Sequence, residues 1–306
     1  MSIFANEFMI RAFIGAVVIG LTAPALGIYL VQRRMSLIGD GVGHVALTGV
    51  GVGLLLNTSP VWTAVIVSAI GAIAIELIRE RGRTSGDLAL ALLFYGGIAG
   101  GVMLVGLSGS RSNANLMTYL FGSLATTSRS DLVLILVLGA VVLGLALGLR
   151  PALFAASHDE EYARVSGLPV RALNLLVAVL TAVTVTISMR AVGLLLVSAL
   201  MVVPVATAQQ VARGFVATMG LAMVLGVAAA GSGVWLAWEI DTALGATIVV
   251  LAIAGFLVVA VALAVLRAVR RRAALRAGRP DRGPGRPVTL SDPEPHEVVL
   301  DRSFRS

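Results

Sequence analysis

The sequence predicts an all-α fold, a helical bundle that crosses a membrane about nine times. Three observations carry that expectation. The chain has 306 residues, of which 58% are hydrophobic and 13% charged, about half the charge of a soluble domain. Its mean hydropathy is +0.97. Apolar runs of about 20 residues recur along it, and at 1.5 Å per residue each is long enough to span a hydrocarbon core of roughly 30 Å. A single soluble core has no room for so many apolar helices.

Nine apolar segments are expected, taken here in order. The first covers 8–31. Met1–Asn6 lacks the basic character of a signal peptide and the run is too long for an h-region, so it reads as a retained span. The second, 36–56, is glycine-rich and carries Asp40 and His44. The third, 61–78, and fourth, 87–107, flank an Arg-rich stretch. A long loop over 108–130, with the short apolar piece LMTYLFGSL, leads to the fifth, 131–149. A second long loop, 150–170, leads to the sixth, 171–188. Only Ser188–Gly193 separates it from the seventh, 191–209, so this pair is two spans or a hairpin that stops short. The eighth and ninth, 215–236 and 244–266, complete a membrane domain expected over 1–268. Residues 269–306 are rich in Arg, Pro and Gly, then acidic, with no apolar period, and are expected to be a disordered tail.

Arg placement sets the expected orientation. With the N-terminus outside, nine Arg fall in inner loops and three in outer loops, and the ten from Arg267 to Arg305 also lie inside. That places the C-terminus in the cytoplasm. The basic half of the tail, RAVRRRAALRAGR, lies at anionic headgroups or is a plain stop-transfer anchor. Lipids are therefore the expected partner of the +7 net charge, and no nucleic acid is expected.

Two absences bound the function. There is no Cys, which excludes thiolate metal sites and disulfides. There is no Lys either, since all 23 basic residues are Arg. A P-loop needs its Lys at the β/γ-phosphates, so any ATP-driven process requires a second polypeptide.

The inner loop SHDEEYARVSGLP reads as a short helix with both ends marked. Ser157 and Glu160 have capping-box spacing. Asp159, Glu160 and Glu161 favour the positive end of the helix dipole. Gly167 and Pro169 stop it. Tyr162, Val165 and Leu168 give it a partly apolar face, which suits either a docking element for a partner protein or a stable loop.

Asp40 and His44 lie four residues apart, on one helix face. Counted from Met35, they sit about 7.5 and 13.5 Å along the axis, by the helix rise. Charges at that depth are costly and usually face a cavity or a partner. Carboxylate plus imidazole suits Zn²⁺, Mn²⁺ or Fe²⁺ better than Na⁺ or K⁺. The pair could equally relay protons or fix helix packing, and these three readings stay open at this point. The GxxxG pairs Gly39/Gly43, Gly49/Gly53, Gly97/Gly101 and Gly144/Gly148 allow close helix approach. Glu76, Glu80 and Asp87 are expected to be solvated beside the Arg-rich loop, Arg11 to reach the interface, and Glu239 and Asp241 to lie in a solvated outer loop.

GDGVGHVALTG resembles the GD-x-x-x-HA-x-LPG stretch of metal-ion ABC transporter permeases of the zinc, manganese and iron uptake class (ABC-3 type). Val45 and Thr48 replace the pattern's Ala and Pro. YLFGSL, DEEYARVSGLPVRALN, RAVGLLLVSALMVVPVATA and ALGATIVVLA resemble further motifs of the family in the same order, with Ala243 and Leu244 in place of a Pro. The resemblance covers roughly 8–268 and is closest to the zinc-uptake branch. It implies a permease subunit in a prokaryotic plasma membrane. Two copies would pair with two ABC ATPase subunits, and an extracellular solute-binding protein would deliver the metal. The chain would not be an enzyme and would bind no cofactor; Zn²⁺, Mn²⁺ or Fe²⁺ would be its cargo. Asp40 and His44 would line the translocation path. Asp159, Glu160, Glu161, Tyr162, Arg164 and Gly167 would contact the ATPase. The alternative from another class is a proton-coupled secondary carrier with Asp40 and His44 as relay.

Overall fold

In the computed structural model, residues 7–80, 86–108, 120, 122, 128–191 and 193–277 are described, and all regular structure among them is helical. The helices are α1 (Glu7–Gln32), α2 (Ile38–Leu55), α3 (Pro60–Glu80), α4 (Gly86–Leu107), α5 (Arg129–Gly148), α6 (Arg150–His158), α7 (Glu160–Val165), α8 (Val170–Ala191), α9 (Leu194–Val211), α10 (Phe215–Glu239) and α11 (Leu244–Ala277). Eight of these, α1–α5, α8, α10 and α11, are long and apolar enough to cross a bilayer. The seventh expected segment is a helix as well, α9, whose 18 residues match the length of α2.

The chain divides into residues 1–262, which hold the bundle, and residues 263–306. The described part of the second unit is the end of α11, whose Arg267, Arg270, Arg271 and Arg272 are exposed. Helix continues through Ala277, past the expected end of the membrane domain. Tail residues beyond it, most of the 108–130 loop and the side chain of Asp87 lie outside the described residues.

α1, α2 and α8 are the enclosed helices, with 72%, 67% and 72% of their apolar windows buried, against 22% for α4 and α5. Small residues make this enclosure possible. A methyl group at Gly20 of α1 would meet the Gly226 carbonyl of α10 at 2.7 Å. Pro24 of α1 and Pro204 of α9 sit inside their helices, where neighbouring helices can re-satisfy the freed backbone groups. The predicted GxxxG pairs divide. Gly39, Gly43, Gly49, Gly53, Gly97 and Gly101 all lie at close helix contacts, whereas Gly144 and Gly148 have nothing within 4 Å.

The turn between α1 and α2 is closed by its own backbone. Met35 N–H donates to Leu30 O at 2.9 Å and Arg34 N–H to Val31 O at 3.1 Å, the paired bonds of a Schellman end. Arg34 occupies the left-handed position, with φ +58°, that glycine usually fills.

Two expectations are corrected. The inner loop forms two helices rather than one. Ser157 is buried in α6, and its hydroxyl accepts from Arg33 Nε at 3.1 Å. The cap of α7 is instead Asp159, whose carboxylate accepts from Tyr162 N–H at 2.9 Å. Ser157 and Asp159 are both good N-cap residues, and Ser157 is instead engaged inside α6 by Arg33, 124 positions away. Second, Glu76 is buried rather than solvated; Arg79 donates to it at 2.7 and 3.1 Å. Glu80 pairs with Arg171 at 3.1 Å. Arg11 is held by the exposed Glu7 at 2.6 Å, which also binds Arg129 at 2.6 Å and so joins the starts of α1 and α5. Arg129, then Arg11, keep the exposed Glu7 carboxyl below its ordinary pKa. Glu239 and Asp241 are exposed, in line with a solvated loop.

Candidate ion-contact site and docking helix

α2 folds as a helix despite its many glycines because neighbours cover nearly every face. The cost of glycine in a helix, about 1 kcal/mol each, is offset by the backbone contact that glycine permits. On one side Gly39 and Gly43 receive Ser198 and Leu194 of α9. On another Gly49 receives Ala64 of α3. Gly97 of α4 lies against the backbone of His44, where a methyl group would meet its carbonyl carbon at 2.7 Å. Thr48, at the pattern's Pro position, donates to Gly97 O at 2.8 Å and ties α2 to α4.

Asp40 is half-buried in a groove of about 410 Å³ between α2 and α4, with Leu37, Leu90, Ala91, Phe94 and Tyr95. One turn further along α2, His44 is buried. Its ring meets the ring of Phe94 edge-on, with centroids 4.5 Å apart and planes at 80°. His44 Nδ1 has no hydrogen-bond partner. A buried imidazole nitrogen left open is costly unless something outside the chain fills it. Among the described residues, no group of three or more His, Cys, Asp or Glu side chains gathers around one point. One chain thus offers two hard or borderline donors, fewer than the four of a closed zinc site. Spacing on α2 alone could not reveal Phe94 or Tyr95, which reach the site from α4. Ser198, whose buried hydroxyl is also unpartnered, reaches α2 from α9 and had no signal of its own.

α6 and α7 form the second feature. α7 closes on a Schellman end: Leu168 N–H donates to Ala163 O and Gly167 N–H to Arg164 O, both at 3.1 Å. Gly167 has φ +81°, as its predicted role as terminator requires. Ala163 is buried beneath the helix, and Leu168 packs on the core. Glu161, Tyr162 and Val165 face outward, the last two at 67% and 89% exposure. The predicted apolar face thus splits, with two residues out and one in. Glu160 pairs with Arg164 at 3.2 Å. It borders a polar cavity of about 240 Å³ with Glu76, Arg79, Glu80, Arg171 and Asn174.

The ABC 3 transport family model matches residues 5–263. The chain is 30% identical to the high-affinity zinc uptake system membrane protein ZnuB of Haemophilus influenzae over 244 residues, 80% of this chain and 93% of that one. It is 29% identical to the manganese transport system membrane protein MntC of Halalkalibacterium halodurans over 251 residues, 82% and 85% of the two chains. Among solved structures it resembles a chain of PsaBC from Streptococcus pneumoniae in complex with Fab, at a TM-score of 0.75 and 29% identity, covering 83% and 91%. With a family match over most of its length, this chain belongs to the ABC-3 transport family and is a multi-pass plasma-membrane permease of a metal-ion ABC importer.

Proposed function

We propose that the cargo is Zn²⁺ and that Asp40 and His44 contact it in transit. The observation that carries this reading is the open Nδ1 of buried His44, one turn from Asp40 in the α2–α4 groove. Two copies of the permease would pair so that both Asp40 and both His44 side chains approach one pathway, an N₂O₂ donor set that suits zinc. Without thiolates the site holds the ion weakly enough to release it. A separate ATPase docks on α7 through Glu161, Tyr162 and the ends set by Asp159 and Gly167. An extracellular binding protein delivers the ion. The N-terminus lies outside and α6–α7 in the cytoplasm. The zinc uptake relative supports zinc, and the manganese relative marks the competing cargo.

The test is radioactive metal uptake in cells lacking the native permease and carrying wild type, Asp40→Ala or His44→Ala at equal protein level. Each substitution should lower zinc uptake at least about tenfold, since even losing a residue behind a metal ligand typically costs 10–100-fold. Wild-type uptake in both variants would remove them from the pathway. Growth rescue under chelation, one metal at a time, identifies the cargo. Rescue by manganese or iron but not zinc overturns the zinc assignment alone.

A further inference from the structure

We infer that Arg33 is the positioning residue that links the docking helices to the ion-contact helix, passing a displacement of α6–α7 to Asp40 and His44 through the α1–α2 turn. This rests on the reading of α7 as the ATPase dock.

Arg33 stands between α1 and α2, five residues before α2 begins. Its guanidinium bonds in two directions. Nε donates to Ser157 Oγ of α6 at 3.1 Å, and Nη2 donates to Asn174 Oδ1 of α8 at 2.5 Å. Ser157 lies two residues before Asp159, the cap of α7. One side chain therefore joins the α1–α2 turn to both elements that flank the docking helix. The rigid fork of Arg can hold both links at once; a Lys offers a single charged point. Burial holds the Arg33 guanidinium below its ordinary pKa; Glu76 of α3 opposes this, Arg79 adds to it, and Glu160 of the docking helix opposes it more weakly.

The path from Arg33 to the site has no slack. The turn is closed by the Schellman bonds already described, and Ile38 N–H donates to Met35 O at 3.1 Å. Met35 and Ile38 are buried in the core. Leu37 directly precedes α2 and lines the same groove as Asp40. His44 follows Ile38 by six residues, about 9 Å of helix. A closed turn moves as a body, so a pull on Arg33 shifts the start of α2 and the groove with it.

The absence of Cys in this chain makes the test direct. Single Val165→Cys and Leu37→Cys variants are built in the full chain, as both positions are exposed. They are reconstituted with the ATPase subunit in nanodiscs, and the rate of maleimide labelling of the permease is followed. Docking should slow labelling at Val165→Cys. ATP with vanadate should change the Leu37→Cys rate at least about threefold, because reactivity follows the population of the accessible state. In the Arg33→Ala background the protection at Val165→Cys should persist while the response at Leu37→Cys disappears. Metal transported per ATP hydrolysed should fall at least about tenfold, with Arg33→Lys intermediate. If Arg33→Ala does not assemble, Ser157→Ala combined with Asn174→Ala removes the same links from the other side. A nucleotide response at Leu37→Cys that survives loss of these links overturns the inference, as does a wild-type complex that protects Val165→Cys and shows no response at Leu37→Cys. Absence of protection in the wild type overturns the docking reading itself, and the inference with it.

Discussion

Gly97 and Gly144 occupy the same sequence pattern and opposite surroundings. A methyl group at Gly97 meets the His44 backbone at 2.7 Å, while Gly144 has nothing within 4 Å. Gly97→Ala should destabilise the bundle by about 1–3 kcal/mol, the usual cost of overpacking, and lower uptake by moving α4 away from the groove. Gly144→Ala should stay within about 0.5 kcal/mol of wild type. Unfolding of both variants in mixed detergent measures the difference, and equal losses would contradict the packing described. Thr48→Val removes the α2–α4 hydrogen bond and should cost about 0.5–2 kcal/mol. Asp40 and His44 were legible in the sequence because a carboxylate and an imidazole at helical spacing inside an apolar run are costly and conspicuous. Phe94 and Tyr95 were not. An aromatic residue on an apolar helix carries no sign of which neighbour it will meet, and only the α2–α4 contact brings these two to Asp40.

α7 has six residues, too short to stand by propensity, so its ends matter. Asp159→Ala removes the cap and should cost about 1 kcal/mol. Gly167→Ala forces a left-handed alanine and should cost about 1–2 kcal/mol. Both variants, with Glu161→Ala, should reduce co-purification of the ATPase while the permease still inserts and runs as a folded species in detergent. Undiminished co-purification and coupled hydrolysis in all three would contradict the docking role. The sequence marked the end of this helix correctly because glycine at a left-handed position is a local requirement. Its start was misread because Ser157 and Asp159 are both good caps, and a distant residue, Arg33, claims the serine. Glu76 was misjudged for a related reason. Beside an Arg-rich loop a carboxylate reads as solvated, yet its Arg79 partner, three residues on, lets it be buried.

At the scale of the whole molecule, all nine apolar segments coincide with helices because the signal is additive over some 20 residues and survives local error. α9 is an 18-residue apolar helix with Pro204 inside it, and an internal Pro is a local signal against helix that the apolar pattern overrides. Orientation is testable with the same Cys-free chain. Under the proposed topology an impermeant maleimide should label Leu56→Cys from outside intact cells and Val165→Cys only after permeabilisation; the reverse pattern would invert the topology. The missing Lys gives another expectation. Without its ATPase the permease should neither hydrolyse ATP nor accumulate metal, and with ATP sustained, uptake should survive a protonophore. Collapse with the proton gradient while ATP is intact would favour the carrier. Whether Asp40 and His44 hold the ion is read by X-ray absorption spectroscopy of zinc bound to the purified permease. The zinc shell should hold nitrogen and oxygen only, with imidazole scattering that is lost in His44→Ala and fewer oxygen neighbours in Asp40→Ala. A zinc shell unchanged by both substitutions would contradict their contact with the ion.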